Sequence, residues 1–170
     1  DQLDPLVEAG LGSGTRALAE RLFEAAGVSI DARGGDTASA VASVKAGGAK
    51  ALVRVTAPRS ALARELIGSG DGLVPASLER AEGIARTLTY LRHVRVHAGS
   101  IDLAANVPGR DLETVAPAAT LLAREELHPA VIGRLVEGAR IHYSSRGVLE
   151  DEGEFQTLAL RDVPPSLTAR

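Results

Sequence analysis

A glycine-rich loop near the start of the chain holds the residues best placed to do chemistry. Gly10, Gly12 and Gly14 fall within five positions, and Ser13 and Thr15 alternate with the last two. Glycine lets the backbone adopt unusual dihedral angles and lets a ligand approach closely. The hydroxyls add donors beside the unpaired N–H groups of a helix start, where the helix dipole favours negative charge. The pattern predicts an anion-binding turn, and a plain strand-to-helix turn without a ligand is the alternative.

Three catalytic interpretations of this loop fail on spacing. A dinucleotide-binding fingerprint needs a glycine where Thr15 stands. A P-loop needs a Gly-Lys pair, but the first lysine of the chain is Lys45. A nucleophile elbow centred on Ser13 needs a glycine where Leu11 stands. We therefore assign no catalytic residue, and we expect a protein that is not an enzyme.

The histidines suggest a metal site only weakly. His93 and His97 are four residues apart, but the residues between them alternate like a strand and include no cysteine or acid. We predict solvated surface histidines, with no metal and no cofactor. His128 precedes Pro129 and is interpreted as a helix-start residue. His142 falls on the last turn of the same predicted helix, where a cation suits the dipole.

Composition narrows the classes of function. The chain has 170 residues and a formal net charge of −3, which offers no basic field for nucleic acid. Aromatic residues make up only 2%, so the core must be built from aliphatic side chains. The absence of cysteine excludes disulfides and thiolate metal sites. No apolar run approaches the roughly 20 residues of a membrane span. Because the chain does not start with methionine, we expect a processed product or an excerpt.

The first half of the chain alternates short strands with helices. Gly27 and Gly47 are natural helix stops, and Asp36 or Thr37 can cap the second helix. This alternation predicts an α/β fold with a mostly parallel sheet flanked by helices, whose binding crevice lies at the carboxyl ends of the strands. The predicted strands cover residues 6–7, 28–30 and 51–56, and the predicted helices run from the glycine loop to residue 27 and over 38–46 and 59–67, the last opened by Pro58.

The second half is less regular. Val94 and Val96 indicate an extended piece, and residues 98–111 are predicted to form a long loop. In the helix predicted from Pro129 to Tyr143, we expect Val131, Leu135 and Ala139 to lie along the core side. Further predictions are strands over 73–74 and 115–124, with Pro117 placing the start of the latter at a sheet edge, a helix over 77–87 and a weakly patterned end over 144–170.

Four ordered segments resemble one family. Residues 12–18, which include the Gly-Ser-Gly-Thr-Arg turn, are similar to the corresponding turn of the TAXI-type solute-binding subunits of TRAP transporters. Residues 80–86, 101–108 and 121–130 (the last reading LLAREELHPA) are similar to further blocks of that family. The order and spacing of the blocks agree, and the resemblance covers about residues 6–155.

The resemblance implies a type II periplasmic-binding-protein-like fold, in which two α/β lobes joined by crossing strands close on a ligand. It divides this chain into a second lobe (1–114), a return crossing strand and helix (115–143) and an irregular C-terminal extension (144–170), with the first lobe missing. The implied ligand is a small carboxylate such as glutamate or a dicarboxylate, which is handed to the membrane permease subunits of a TRAP transporter. The implied location is the periplasm, or a membrane anchor facing it, with an export signal or anchor upstream.

The resemblance also supplies candidate ligand-binding residues. Ser13, Gly14 and Thr15 should donate to the carboxylate of the ligand. Thr56 and Ala57, at the end of the third predicted strand, should line the cleft. Two more candidates are Asp36 and Thr37, at the start of the second helix. Their alternative role is helix capping.

Two other functions remain open at the level of sequence. One is a ligand-sensing module of similar fold in a regulatory or signalling protein, and the other is a hydrolase that uses Ser13. The sequence preceding residue 1 would discriminate the first of these from a receptor: an export signal or anchor favours transport, and a helix-turn-helix favours regulation.

Overall fold

The computed structural model describes residues 3–9, 14–68, 72–119 and 122–150, and it is a mixed α/β structure in which helices and strands alternate. The strands are β1 (Leu3–Ala9), β2 (Ile30–Gly35), β3 (Ala51–Leu52), β4 (Leu91–Val96) and β5 (Leu112–Pro117). The helices are α1 (Gly14–Ala25), α2 (Thr37–Lys45), α3 (Ala61–Gly68), α4 (Ala81–Thr87) and α5 (Pro129–Tyr143).

The first three strands form a parallel sheet in the order β2-β1-β3, so β1 is the central strand. Leu6 pairs with Ala51 on one side, and Ala9 pairs with Gly35 on the other. Parallel neighbours need a crossover connection, and α1 and α2 provide it here. The predicted parallel sheet is therefore found in the first part of the chain, whereas β4 and β5 form a separate antiparallel pair.

The first two helices end at the glycines that the sequence indicated. Gly27 has a φ of 69° and Gly47 a φ of 77°, in the left-handed region that favours glycine. In each case the amide of the next residue donates back to a carbonyl in the helix, at 2.9 and 2.8 Å. This is the Schellman arrangement, in which a left-handed residue satisfies the last carbonyls of a helix.

Substitutions at Gly47 and Gly83 test backbone strain without a steric component. A Cβ added at Gly47 meets nothing within 4 Å, so Gly47→Ala should cost about 1 kcal/mol from the left-handed backbone alone. Gly83 lies inside α4 and is equally open, so Gly83→Ala should stabilise the protein by about 0.5–1 kcal/mol. Urea unfolding measures both, and a shift of the two variants in the same direction would contradict the assignment.

The third strand and the helix after it are shorter than predicted. β3 ends at Leu52, and residues 53–57 are neither helix nor strand. Helix α3 begins at Ala61 rather than at residue 59, because the Ser60 hydroxyl accepts from the amide of Ala63 at 3.0 Å and caps it. Pro58 therefore lies in the turn before the helix and does not open it.

The predicted strand over 73–74 and the first turn of the predicted helix over 77–87 are wrong. Residues 73–78 have no regular structure, and α4 begins at Ala81. The reason is a contact from elsewhere in the chain. The amide of Leu78 donates to the carbonyl of Glu113 at 2.8 Å, and the amide of Glu113 donates to the Ser77 hydroxyl at 2.9 Å.

The strand predicted over 115–124 begins earlier and ends earlier. β5 pairs along its whole length with β4, from Leu112 opposite Val96 to Pro117 opposite Leu91. Pro117 is therefore the last residue of the strand and not its start, since proline cannot donate to a further ladder bond. The long loop over 98–111 is confirmed, because it lies between the two strands and contains no helix.

The buried core is small and rich in alanine. Ala40 is fully buried and packs with Ala49, and Val44 and Leu52 cover this pair. Small side chains let helix and sheet approach closely, as the low aromatic content required. The other buried apolar residues among those described are Ala19, Ala63, Ala81, Leu91, Val94 and Leu112.

Helix α5 has the predicted bounds but not the predicted burial. The ring of His128 accepts from the amide of Ala130 at 3.2 Å, which confirms its role at the helix start. No residue of the helix is buried, and Val131 and Leu135 are each 44% exposed. The prediction that these two side chains lie along the core side is wrong. Residues 144–150 contain no helix or strand, and the rest of the predicted extension lies outside the described residues.

Leu91 offers the clearest test of the core around β4. Its side chain is 2% exposed, and truncating a buried leucine removes transfer energy and leaves a cavity. We expect Leu91→Ala to lower the free energy of unfolding by about 2–5 kcal/mol. Leu103 is 85% exposed, so the control Leu103→Ala should change it by less than about 0.5 kcal/mol. Similar losses in the two variants would show that β4 is not part of the core.

Candidate functional site

The carboxyl ends of the parallel strands define one edge of the sheet. The chain passes from β1 to β2 on one side and then returns to place β3 on the other side of β1. In parallel sheets, ligands bind in the crevice where the strand order reverses, because the connections on the two sides diverge there. Helices α1 and α2 both start at this edge, since they follow the carboxyl ends of β1 and β2. We call it the switch-point edge.

The glycine loop connects β1 to α1, and Ser13 lies outside the described residues. Gly14 is the first residue of α1, and a Cβ placed on it meets nothing within 4 Å, so a ligand can approach its backbone. The Thr15 side chain is only 7% exposed and shares a buried face with Ala19. No hydrogen bond seen among the described residues involves the Thr15 hydroxyl. The first four amides of a helix lack partners inside it, so amides are the donors that this turn offers most directly.

Asp36 acts as the cap of α2. Its carboxylate accepts from the amide of Ser39 at 3.0 Å and from the Ser39 hydroxyl at 2.5 Å. These hydrogen bonds, that of the hydroxyl first, hold the pKa of Asp36 below its ordinary value. The capping role predicted as the alternative for Asp36 is thus the one that the geometry shows. Thr37 is the half-buried first residue of the helix.

Thr56 and Ala57 lie four and five residues beyond the end of β3, so they are not at a strand end as predicted. The hydroxyls of Thr56 and Ser60 are 2.9 Å apart, and the carbonyl of Ala57 accepts from the amide of Ser60 at 3.0 Å. Both residues therefore support the cap of α3. Both are exposed, so they remain accessible from solvent.

Arg54 is a candidate that the sequence interpretation missed. It lies two residues beyond Leu52, whose partner on β1 is Val7 close to the switch-point edge. The Nε atom of Arg54 is buried and has no hydrogen-bond partner among the described residues. Burying a cationic donor without a partner is costly, so Arg54 is a candidate for contact with an anionic ligand. A single arginine inside the apolar run from residue 51 to 55 was the available indication in the sequence.

His93 belongs to a separate polar network between α4, β4 and β5. Glu113 binds the Nε2 atom of His93 with one oxygen and the Nε atom of Arg95 with the other, the latter at 2.5 Å. The Nδ1 atom of His93 lies 3.2 Å from Glu82. The two carboxylates hold opposite ring nitrogens, so they do not converge on one point. Within the described ranges, no group of three or more such side chains could hold a metal ion.

The prediction of solvated surface histidines holds better for His97 than for His93. The His97 side chain is 67% exposed, and its Nδ1 atom is 3.3 Å from a carboxylate oxygen of Asp111. The His93 side chain is only 32% exposed and is held between two carboxylates. Its environment is therefore that of a bridging residue between a helix and a sheet.

Glu113 carries the electrostatic consequence of this network. Its hydrogen bonds to His93 first and to Arg95 second hold its pKa below the ordinary value of a glutamate. A carboxyl group with a depressed pKa in the folded state binds fewer protons than it does when unfolded. Its contribution to stability is therefore present above the unfolded-state pKa and is lost as the pH falls through the folded-state pKa.

This sign gives a pH-dependent prediction. Glu113→Gln should lower the free energy of unfolding at pH 7, and the difference from the unsubstituted chain should shrink as the pH falls below about 4. Denaturant unfolding over a series of pH values measures it. Glu125 is exposed and pairs with no described residue, so Glu125→Gln is the matched control and should show no such difference. A difference for Glu113→Gln that stays constant with pH would contradict the ionic role.

Comparison with known protein families, with curated proteins and with solved structures finds no match to this chain. None of the helices in the described ranges is long and apolar enough to cross a bilayer.

Proposed function

We propose that the chain is a lobe of an extracytoplasmic solute-binding receptor of the TAXI type, which captures a small carboxylate and delivers it to the permease of a TRAP transporter. The observation that supports the proposal is the reversal of strand order at β1, with α1 starting after β1 and the unpartnered Arg54 two residues beyond the end of β3. The four sequence blocks that resemble this family supply the class of receptor, the periplasmic location and the type II binding-protein-like lobe.

The proposed binding step makes and breaks no covalent bond. The amides of Gly14 and Thr15 donate to one carboxylate of the acid, and the guanidinium of Arg54 provides the compensating charge. The Asp36 carboxylate is already engaged by the amide and the hydroxyl of Ser39 at the start of α2. Glutamate or a dicarboxylate fits this set, since its second carboxylate can reach a second lobe.

Capture then rests on a difference in affinity between two states. An open form admits the acid, and closure of two lobes around it is favoured only by as much as the ligand binds the closed form more tightly. The lobe described here supplies one wall of the pocket. Handing the acid to the permease requires reopening, for which an interface with the membrane subunits provides the energy.

Arg54 gives the sharpest test of this proposal. Glutamate and succinate should raise the melting temperature of the chain, because a ligand that binds only the folded state stabilises it. Removing a charged hydrogen-bond donor with Arg54→Gln should weaken binding by about tenfold, measured by calorimetric titration. Arg64 is exposed on α3, so Arg64→Gln removes the same charge elsewhere and should leave the affinity unchanged.

Two outcomes would overturn it. One is the lack of any stabilisation across a panel of small mono- and dicarboxylates at millimolar concentration. The other is an equal loss of affinity in the Arg54 and Arg64 variants, which would show that net charge and not the switch-point edge governs binding.

A further inference from the structure

A polar cavity is lined by residues other than those proposed at the switch-point edge. It has a volume of about 340 Å³ and is enclosed by the end of β4, the loop after it, the turn before α3 and the segment that follows α5. We call it the basic cavity. The charged and polar side chains among its lining residues are Arg59, Arg95, His97, Ser100, Arg146 and Glu150.

We propose that the basic cavity binds a small oxyanion, with a phosphate or carboxylate group held by Arg59, Arg95 and Ser100. The proposal does not rest on the proposed function, because the residues involved are different and because no part of it requires a second lobe. An anion here would be a second ligand of the chain.

Two groups in the cavity lack partners. The hydroxyl oxygen of Ser100 is buried and makes no hydrogen bond to any described residue. Arg59 is exposed and forms no ion pair within the described part of the chain. A buried hydroxyl can donate to an anion, and an adjacent guanidinium can bind the same anion through two parallel N–H groups.

Two further residues are only partly engaged. Arg95 uses its Nε atom for Glu113 and keeps the N–H groups of its two terminal nitrogens, since a guanidinium carries five donors in all. His97 uses its Nδ1 atom for Asp111 and keeps Nε2. The cavity therefore collects donors whose own partners lie outside it.

Glu150, on the segment after α5, is the one acidic side chain among the described residues of the lining. The Glu150 carboxylate lies against Gly147, at the position where a Cβ of that residue would be, and accepts weakly from the amide of Leu149 at 3.3 Å. Arg92 holds this segment to β4 through the carbonyl of Leu149 at 3.4 Å. Among the described residues, the lining sets the exposed guanidinium of Arg59 beside that of Arg95, whose Nε atom is paired with Glu113, and beside Arg146.

The chemistry and the size together define the ligand class. Guanidinium groups match the geometry of phosphate and carboxylate oxygens. The volume of about 340 Å³ is at the lower end of the range for small-molecule sites, so a compact oxyanion fits better than a nucleotide. Among the described residues, the lining contains no aromatic ring on which a base could stack.

The test is a titration of the full 170-residue chain with inorganic phosphate, and separately with malonate, at constant ionic strength. Amide chemical shifts should change saturably at Ser100 and Gly147. Arg59→Gln should weaken the binding by about tenfold, since it removes a charge-assisted donor. Glu150→Gln should strengthen it several-fold, because it removes the competing carboxylate. Preference for phosphate or for malonate identifies which oxyanion the cavity takes.

Matched controls separate this site from general charge effects and from the switch-point edge. Arg134→Gln and Glu125→Gln make the same charge changes at exposed positions outside the cavity and should leave the affinity unchanged. Arg54→Gln should also leave it unchanged, so failure of the proposed function does not remove this site. Non-saturable shifts for both anions, or equal weakening by Arg59→Gln and Arg134→Gln, would overturn the proposal. Ser100→Ala gives an independent check, with a smaller loss expected.

Discussion

Pairing of β1 with a parallel strand on each side is the constraint on which the rest of the molecule depends. Strands β2 and β3 do not contact each other, so only β1 holds the two α/β units in one sheet. The same pairing reverses the strand order at β1, and in parallel sheets such a reversal is where ligands bind. This topology, and not a contact between the two, brings the start of α1 and the unpartnered guanidinium of Arg54 to one edge of the sheet.

An alanine-rich core makes that arrangement possible but limits its extent. Ala40 and Ala49 allow α2 and the start of β3 to pack with little side-chain volume between them. Each alanine buries little apolar surface, so a few such contacts stabilise only the elements that share them. Helix α5 has no buried residue, and its ends are instead defined by Pro129, by the His128 cap and by the final turn.

This division explains how much of the fold the sequence could predict. Local features gave the ends of elements correctly: glycine at positions 27 and 47, the Asp36 cap, and the bounds of α5. Errors arose where a contact from a distant part of the chain determined where an element begins or ends. The backbone of Glu113 engages residues 77 and 78, so α4 starts late. Amphipathic spacing identified the apolar face of α5, but spacing cannot show whether another element covers it.

The candidate site was predictable to a similar degree. The binding role of the glycine-loop amides is predicted from residue type and spacing and stays a prediction, whereas Arg54 is indicated only by the unpartnered state of its Nε atom. Thr56 and Ala57 were predicted as cleft residues because the third strand was expected to end there. The strand ends earlier, and the Ser60 cap of α3 draws both residues into a turn. A side chain that caps a helix is satisfied within the protein, and so it has less to offer to a ligand.

The two proposed sites use the same stretch of chain in physically different ways. Residues 53–60 contribute Arg54 to the switch-point edge and Arg59 to the basic cavity. The half-buried Arg54 has already lost hydration at its Nε atom, so an anion that reaches it regains a hydrogen bond without further desolvation. The exposed Arg59 is hydrated and screened by salt. In the proposed edge site the charged group itself is the buried unsatisfied donor, whereas in the proposed cavity the buried donor is the neutral Ser100 hydroxyl and the charge of Arg59 lies in solvent. Binding in the cavity should therefore be weakened more by salt than binding at the edge.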